Sequence, residues 1–243
     1  MQPLKIENKH LFLCFKHVFD LECKLERNKS NFFWPQIKFL CHEEKLRQPG
    51  DYVSTSIEGQ SVVGIRNRSG ELAAFYNVCK HRGHELLSGS GNVKRITCPY
   101  HAWTYDGTGA LVKVYGDDAF GAFDFSERGL TELACEERHG VVFCCLNPRR
   151  TFSIDPWLQD IGEPLAALQL DNWVLYEQRD LAGPGWKVAF DGYLEVYHHD
   201  IVHRSTVGRH TIGNLLVHDT FGPHQRLTFG RKSLKEVNGE PEG

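Results

Sequence analysis

Polar and apolar positions change rhythm along this chain. Over residues 52–78 the apolar residues come in short runs cut by turn formers. Residues 52–57 and 61–66 read as strands joined across Glu58-Gly59-Gln60, a hairpin signal. Residues 72–78 read as a third strand after Asn67-Arg68-Ser69-Gly70, and Pro49-Gly50-Asp51 is a turn ahead of all three. The β region closes near residues 141–146. Short antiparallel strands with Gly-rich turns predict a small β-sandwich.

Elsewhere the rhythm is helical. Leu11, Phe12, Phe15, Val18, Phe19 and Leu25 sit at roughly helical spacing and predict an amphipathic N-terminal helix. Asn147-Pro148-Arg149-Arg150 marks a boundary, after which residues 156–168 read as a helix with Pro156 early in it. Residues 185–203 mix carboxylates, histidines and aromatics in one expected helix. Residues 211–220 and 225–231 have strand character, and 236–243 is polar and Gly-rich like a loop. The expected organisation is an N-terminal segment 1–36, a β domain 37–150 and a mixed unit 151–243, in the α+β class.

Composition narrows the function. With 243 residues the chain has room for a sizeable core, and its net charge of −3 gives no electrostatic case for nucleic acid or an anionic membrane. No apolar run is long enough to span a bilayer. Near the N-terminus the apolar run is too short for a signal peptide. A cytoplasmic location is expected. Of eight cysteines, Cys14, Cys23, Cys41, Cys135, Cys144 and Cys145 show no disulfide spacing and read as mostly buried free thiols. Cys144 and Cys145 should face opposite sides of a strand.

The chemistry concentrates in residues 79–101. Cys79-Lys80-His81 opens the stretch and Cys98-Pro99-Tyr100-His101 closes it. A thiolate and an imidazole so close together can reach one metal or one small cluster from a single tight loop, and two such loops supply four ligands. A closed zinc site also takes two Cys and two His. The interleaved order of Cys and His is unusual for zinc, and a [2Fe–2S] cluster with two Cys on one iron and two His on the other suits it better. Gly83 and Gly107 are expected to let the backbone turn tightly beside a bulky cluster. His84 fits no ligand slot. A second cluster of donors, Glu195, His198, His199, Asp200 and His203, could seat an iron, because two His and a carboxylate on one face leave positions for oxygen and substrate. Helix spacing alone would pair His199 with His203.

Cys79-Lys80-His81-Arg82-Gly83 and Cys98-Pro99-Tyr100-His101-Ala102-Trp103-Thr104-Tyr105-Asp106-Gly107 resemble the two cluster loops of Rieske non-haem iron ring-hydroxylating oxygenases, large (alpha) subunit. The resemblance implies a Rieske [2Fe–2S] domain holding its cluster with Cys79, His81, Cys98 and His101. It implies that a helix-grip catalytic domain follows, here only its first part. Tyr197-His198, four residues and His203 match the family's iron motif, so the resemblance selects His198 and His203 as Fe(2+) ligands. Glu195 stands in the acidic slot that bridges the cluster of one subunit to the iron of the next, accepting hydrogen bonds from a histidine on each side. Glutamate there resembles choline- and carnitine-type monooxygenases more than ring dioxygenases. Gly185 stands where many members have Asn. The third, carboxylate ligand lies beyond this motif in the family, and neither Asp200 nor Asp219 matches its position. The chain is expected to be such an oxygenase cut within its catalytic domain. No nucleotide-binding motif is present, so an NAD(P)H-dependent reductase or ferredoxin is implied as electron donor. Dioxygen and a small organic substrate, aromatic or quaternary-ammonium, are implied as reactants, and a homotrimer or hetero-oligomer as the assembly. The alternatives are a Rieske-type electron carrier or a catalytically incomplete fragment.

Overall fold

The computed structural model describes residues 12–15 (backbone only), 37–121, 123–177 and 182–233. These fall into two compact units, one made of 37–157 and 162–177, the other of 12–15, 158–161 and 182–233. Strand β1 (Phe12–Phe15) belongs to the second unit.

The first unit is built from β2 (Ile37–His42), β3 (Asp51–Ile57), β4 (Gln60–Arg66), β5 (Leu72–Tyr76), β6 (Ser90–Asn92), β7 (Ile96–Thr97), β8 (Thr104–Tyr105), β9 (Leu111–Lys113), β10 (Glu132–Leu133), β11 (Cys135–Arg138) and β12 (Val141–Cys145). They form a five-stranded sheet in the order β10-β5-β4-β3-β6 and two three-stranded sheets, β11-β12-β2 and β7-β8-β9. Every pairing is antiparallel. The β3–β4 hairpin turns on Glu58 and Gly59, both at positive φ, as a two-residue hairpin requires.

Alternation along β4 and β5 explains the layering. Val62 and Ala74 point to one side, into a core shared with Leu40, Leu46, Val142 and Cys144. Val63 and Phe75 point to the other, into a core shared with Cys79, Cys98, Trp103 and Tyr105. The five-stranded sheet is therefore buried on both faces, and the second core lies directly beneath the two cysteine loops. Fully burying a side chain such as Val63 or Phe75 contributes about 1.5–3 kcal/mol. Cys144 and Cys145 face opposite sides of β12 and are both fully buried. Burial is the chief cause that pushes the Cys41, Cys135 and Cys144 thiols up to about 12. Cys14 and Cys23 have no described side chains.

The expected helix over 156–168 is broken into α1 (Ile154–Leu158), a 3-10 turn over Gln159–Ile161, and α2 (Gly162–Ala166). Gln159 sits at φ +51, and Pro164 has no N–H to continue the ladder.

In the second unit α3 (Trp186–Tyr193) precedes β13 (Thr211–Phe221) and β14 (His224–Arg231), and the sheet order is β1-β14-β13. Here one expectation is corrected. Phe12–Phe15 is a strand paired antiparallel with residues 224–227 of β14, not part of a helix. Phe12-Leu13-Cys14-Phe15 is a continuous apolar run, and such a run does not by itself distinguish strand from helix. The free edge of β14 decides it. Val18, Phe19 and Leu25 lie outside the described residues, as does the loop expected at 236–243. Among the described residues no helix is long and apolar enough to cross a membrane.

Candidate metal centres

The two cysteine loops are closed in the same way. In the first, Gly83 N–H donates to Cys79 O (3.0 Å) and Cys79 N–H to His84 O (2.9 Å). In the second, Ala102 N–H donates to Cys98 O (3.0 Å) and Cys98 N–H to Trp103 O (2.8 Å). The fifth residue of each loop is left-handed: Gly83 at φ +72 and Ala102 at φ +57. Gly107 is not at positive φ. It is needed because a Cβ there would meet Asn67 at 3.1 Å.

This closure turns both cysteines inward and both histidines outward. Cys79 and Cys98 are 2% and 3% exposed, whereas His81 and His101 are half-buried. The two thiols lie within hydrogen-bond reach of each other. The two imidazole centroids are 4.7 Å apart. His81 stacks on Trp103 (4.8 Å, 8° between planes), and His101 lies against Tyr100 (3.8 Å). Burial, then the His101 imidazole and Arg82, holds His81 below its ordinary pKa.

Nδ1 of His81 and Nδ1 of His101 are both buried without a hydrogen-bond partner. Leaving such a group unpaired costs about 1–3 kcal/mol. Two orphaned imidazole nitrogens beside two paired thiols form a donor set that a bound group would satisfy. Two imidazoles sharing one ion at roughly 2.1 Å put their centroids roughly 5 Å apart, close to the separation here. The donors pair by type, sulfur with sulfur and nitrogen with nitrogen, which fits a two-iron cluster.

Tyr105, part of the second loop motif, has a defined task in the first loop. Its oxygen accepts from Lys80 N–H (3.0 Å), so its proton is free to point at Cys79 Sγ, 3.3 Å away. Burial raises the pKa of both Tyr105 and Cys79. His84 is exposed, with its ring on Glu85 O and beside Tyr100, and takes no part in the donor set.

Residues 185–203 do not make the single helix expected. Helix α3 ends at Tyr193, where Leu194 N–H splits between Phe190 O and Asp191 O (3.1 Å each). Gly192 weakens the last turn, and Val196 leaves helical geometry at φ −118, ψ 1. A 3-10 turn over Tyr197–Asp200 follows, begun by Glu195 Oε2 accepting His198 N–H (3.2 Å). The break brings three imidazoles together: His198 and His203 at 5.2 Å between centroids, His198 and His199 at 4.8 Å, His199 and His203 at 5.9 Å.

Their second nitrogens separate their roles. His198 Nδ1 is hydrogen-bonded to Glu195 Oε1, which fixes the ring and leaves Nε2 as its remaining nitrogen. His199 Nδ1 is engaged by Thr211 Oγ1 (3.3 Å), with the ring against Phe229 (5.6 Å). Burial would raise the pKa of Glu195, but hydrogen bonds from the His198 ring and from the His198 and Tyr197 N–H groups outweigh it and hold the carboxyl low. Gly208 packs so closely that a Cβ there would lie 2.2 Å from His199 O and 2.8 Å from His203 O. Both local carboxylates are committed elsewhere: Asp219 accepts from Arg226 (2.7 and 2.9 Å), and Asp200 pairs with Lys232 (3.7 Å). A cavity of about 400 Å³ opens beside the three imidazoles, lined also by Tyr193, Glu195, Val196 and Phe229.

Comparison with known proteins adds two family matches. Residues 36–124 match the Rieske [2Fe-2S] domain, and residues 170–242 match the catalytic domain of the ring hydroxylating alpha subunit. The carnitine monooxygenase oxygenase subunit of Acinetobacter pittii is 38% identical over 177 residues, covering 71% of this chain and 47% of that protein. The anthranilate 1,2-dioxygenase large subunit of Acinetobacter baylyi is 33% identical over 203 residues, 78% of this chain and 41% of that one. Among solved structures, a quaternary ammonium Rieske monooxygenase in complex with L-carnitine superimposes with a TM-score of 0.72 at 30% identity, covering 89% of this chain and 64% of that one. Naphthalene 1,2-dioxygenase from a Rhodococcus species gives 0.64 at 32% identity, covering 72% and 42%. The chain spans about half the length of the curated relatives it matches.

Proposed function

This chain belongs to the Rieske ring-hydroxylating oxygenase alpha subunits, and from that premise we propose that it serves oxygen insertion into a small quaternary-ammonium substrate. Cys79 and Cys98 would hold one iron of a [2Fe–2S] cluster, and His81 and His101, whose Nδ1 atoms are left without partners, would hold the other. His198 and His203 would hold a separate Fe(2+). When bound, the cluster supplies one-electron transfer at roughly −150 to +300 mV, and the ferrous centre supplies activation of dioxygen.

The protein's own groups set the conditions. Tyr105 directs a proton at Cys79 Sγ and so lowers the electron density on that sulfur. Trp103 holds the plane of His81, while half-exposure of the imidazoles keeps this end of the centre open to a donor protein. Glu195 fixes the His198 ring and, in an assembly of subunits, is the electron bridge to a cluster histidine of a neighbour. An NAD(P)H-dependent reductase or ferredoxin would supply the electrons, and the assembly would be a homotrimer or hetero-oligomer. The described cavity wall carries Glu195 and the Tyr193 ring and no Lys or Arg. Such a wall favours a cationic headgroup. That supports the quaternary-ammonium reading suggested by the carnitine monooxygenase relative.

The observation that carries the proposal is the pair of orphaned Nδ1 atoms beside paired thiols in two identically closed loops. Iron and acid-labile sulfide analysis with electron paramagnetic resonance tests it. Cluster plus mononuclear iron is the expected result. Cluster alone would support the second reading, a Rieske electron carrier, which the commitment of Asp200 and Asp219 to other partners favours. A sample holding only zinc would overturn both.

A further inference from the structure

We propose that Asn77 is a positioning residue of the first cluster loop, whose side chain ties the two limbs of the loop together and so keeps Cys79 and His81 at the separation the cluster needs. The inference rests on the assignment of Cys79 and His81 as cluster ligands.

The two ligand loops are supported unequally. The limbs of the second are strands β7 and β8, paired at Ile96–Tyr105 and Thr97–Thr104. The limbs of the first are joined by a single isolated bridge, Val78–Glu85. Asn77 lies just before that bridge and is fully buried. Its Oδ1 accepts from Leu87 N–H (3.0 Å) and Leu86 N–H (3.3 Å), on the returning limb. Its Nδ2 has two protons shared among Leu87 O (2.6 Å), Ser54 Oγ (3.0 Å), Ser61 Oγ (3.1 Å) and Glu85 Oε1 (3.2 Å). Its own N–H donates to Ser61 O (2.9 Å). One amide thus ties both limbs of the loop to β3 and β4 and stands in for the ladder that the second loop has. Without it, the limbs can part and the first pair of ligands drifts from the second.

Asn77→Asp tests this, because it keeps the shape and one acceptor but replaces the donor by a carboxylate facing Glu85 and Leu87 O. Adding Glu85→Gln reverses the polarity of the 77–85 contact and restores a donor–acceptor pair. Full-length cluster-loaded protein is compared with both variants by the lifetime of the visible cluster absorbance under an iron chelator, the g values of the reduced cluster, and thermal unfolding by circular dichroism. The expected result is a lifetime shortened by at least about tenfold in Asn77→Asp with shifted g values. The double variant should recover to within about threefold of the parent. Unchanged g values and lifetime, or no recovery in the double variant, would overturn the proposal. If Asn77→Asp fails to accumulate, Ser61→Ala removes one strand-side partner and should shorten the lifetime about twofold with the same direction of g shift; no change there would also overturn it. A parent protein with no cluster would instead overturn the ligand assignment beneath it.

Discussion

Ala102 occupies, in the second cluster loop, the place that Gly83 occupies in the first. Both accept the same left-handed backbone, at φ +57 and φ +72. A Cβ in that region costs about 1–2 kcal/mol. Ala102→Gly removes the cost, while the greater freedom of glycine in the unfolded chain takes back about 0.4–1 kcal/mol. The net expectation is about 0.5–1 kcal/mol of added stability, a rise of roughly 1–4 °C in the melting of the cluster-bearing unit. Gly83→Ala is the mirror experiment. A Cβ at Gly83 would have no heavy atom within 4 Å, so backbone strain alone should lower the melting temperature by a similar amount. The assay is thermal unfolding of cluster-loaded protein, followed by circular dichroism and by visible absorbance together. If Ala102→Gly lowers the transition, or Gly83→Ala leaves it unmoved, then the two loops are not equivalent in the way their hydrogen bonds indicate.

Other expectations follow from the second site and the core. Gly208→Ala forces a Cβ into the His199 and His203 carbonyls, a backbone clash costing about 1–3 kcal/mol or more; iron content should fall from about three per chain towards about two, with the cluster spectrum intact. His203→Ala should lose the same iron, whereas His199→Ala should keep most of it, because the His199 ring is turned to Thr211; metal analysis of both variants decides between the two pairings. Glu195→Gln should leave both metals bound and reduce product formation by at least about a hundredfold, since the His198 ring loses its charged partner; unchanged turnover would remove Glu195 from the electron path. For Cys41, Cys135 and Cys144, whose folded pKa lies near 12 against about 9 when free, pH has no effect on stability below about 9. Above it the unfolded chain sheds protons that the fold retains, so stability should fall by about 1.4 kcal/mol per pH unit for each thiol, read from urea midpoints between pH 8 and pH 11, conditions spanning roughly that window.

The amino-acid sequence alone pointed to the chemistry proposed for the first centre. Cys79, His81, Cys98 and His101 are close in sequence within each loop, and short-range spacing together with donor type limits what they can bind. It also determined β3, β4 and β5, whose apolar faces and turn residues are local signals. What it left undecided depended on partners distant in the chain. Phe12–Phe15 became a strand because β14 offered it an edge more than two hundred residues away. The stretch 185–203 broke after Tyr193, and only then did His198 approach His203 while His199 turned to Thr211. Asn77 carried no signal beyond its place two residues before Cys79, because its weight comes from six side-chain hydrogen bonds to five residues spread over β3, β4 and the returning limb. Ligand identity is a property of residue type and local spacing; the orientation of each ring and the tether of each loop are set by buried hydrogen bonds, which exist only once distant segments have packed together.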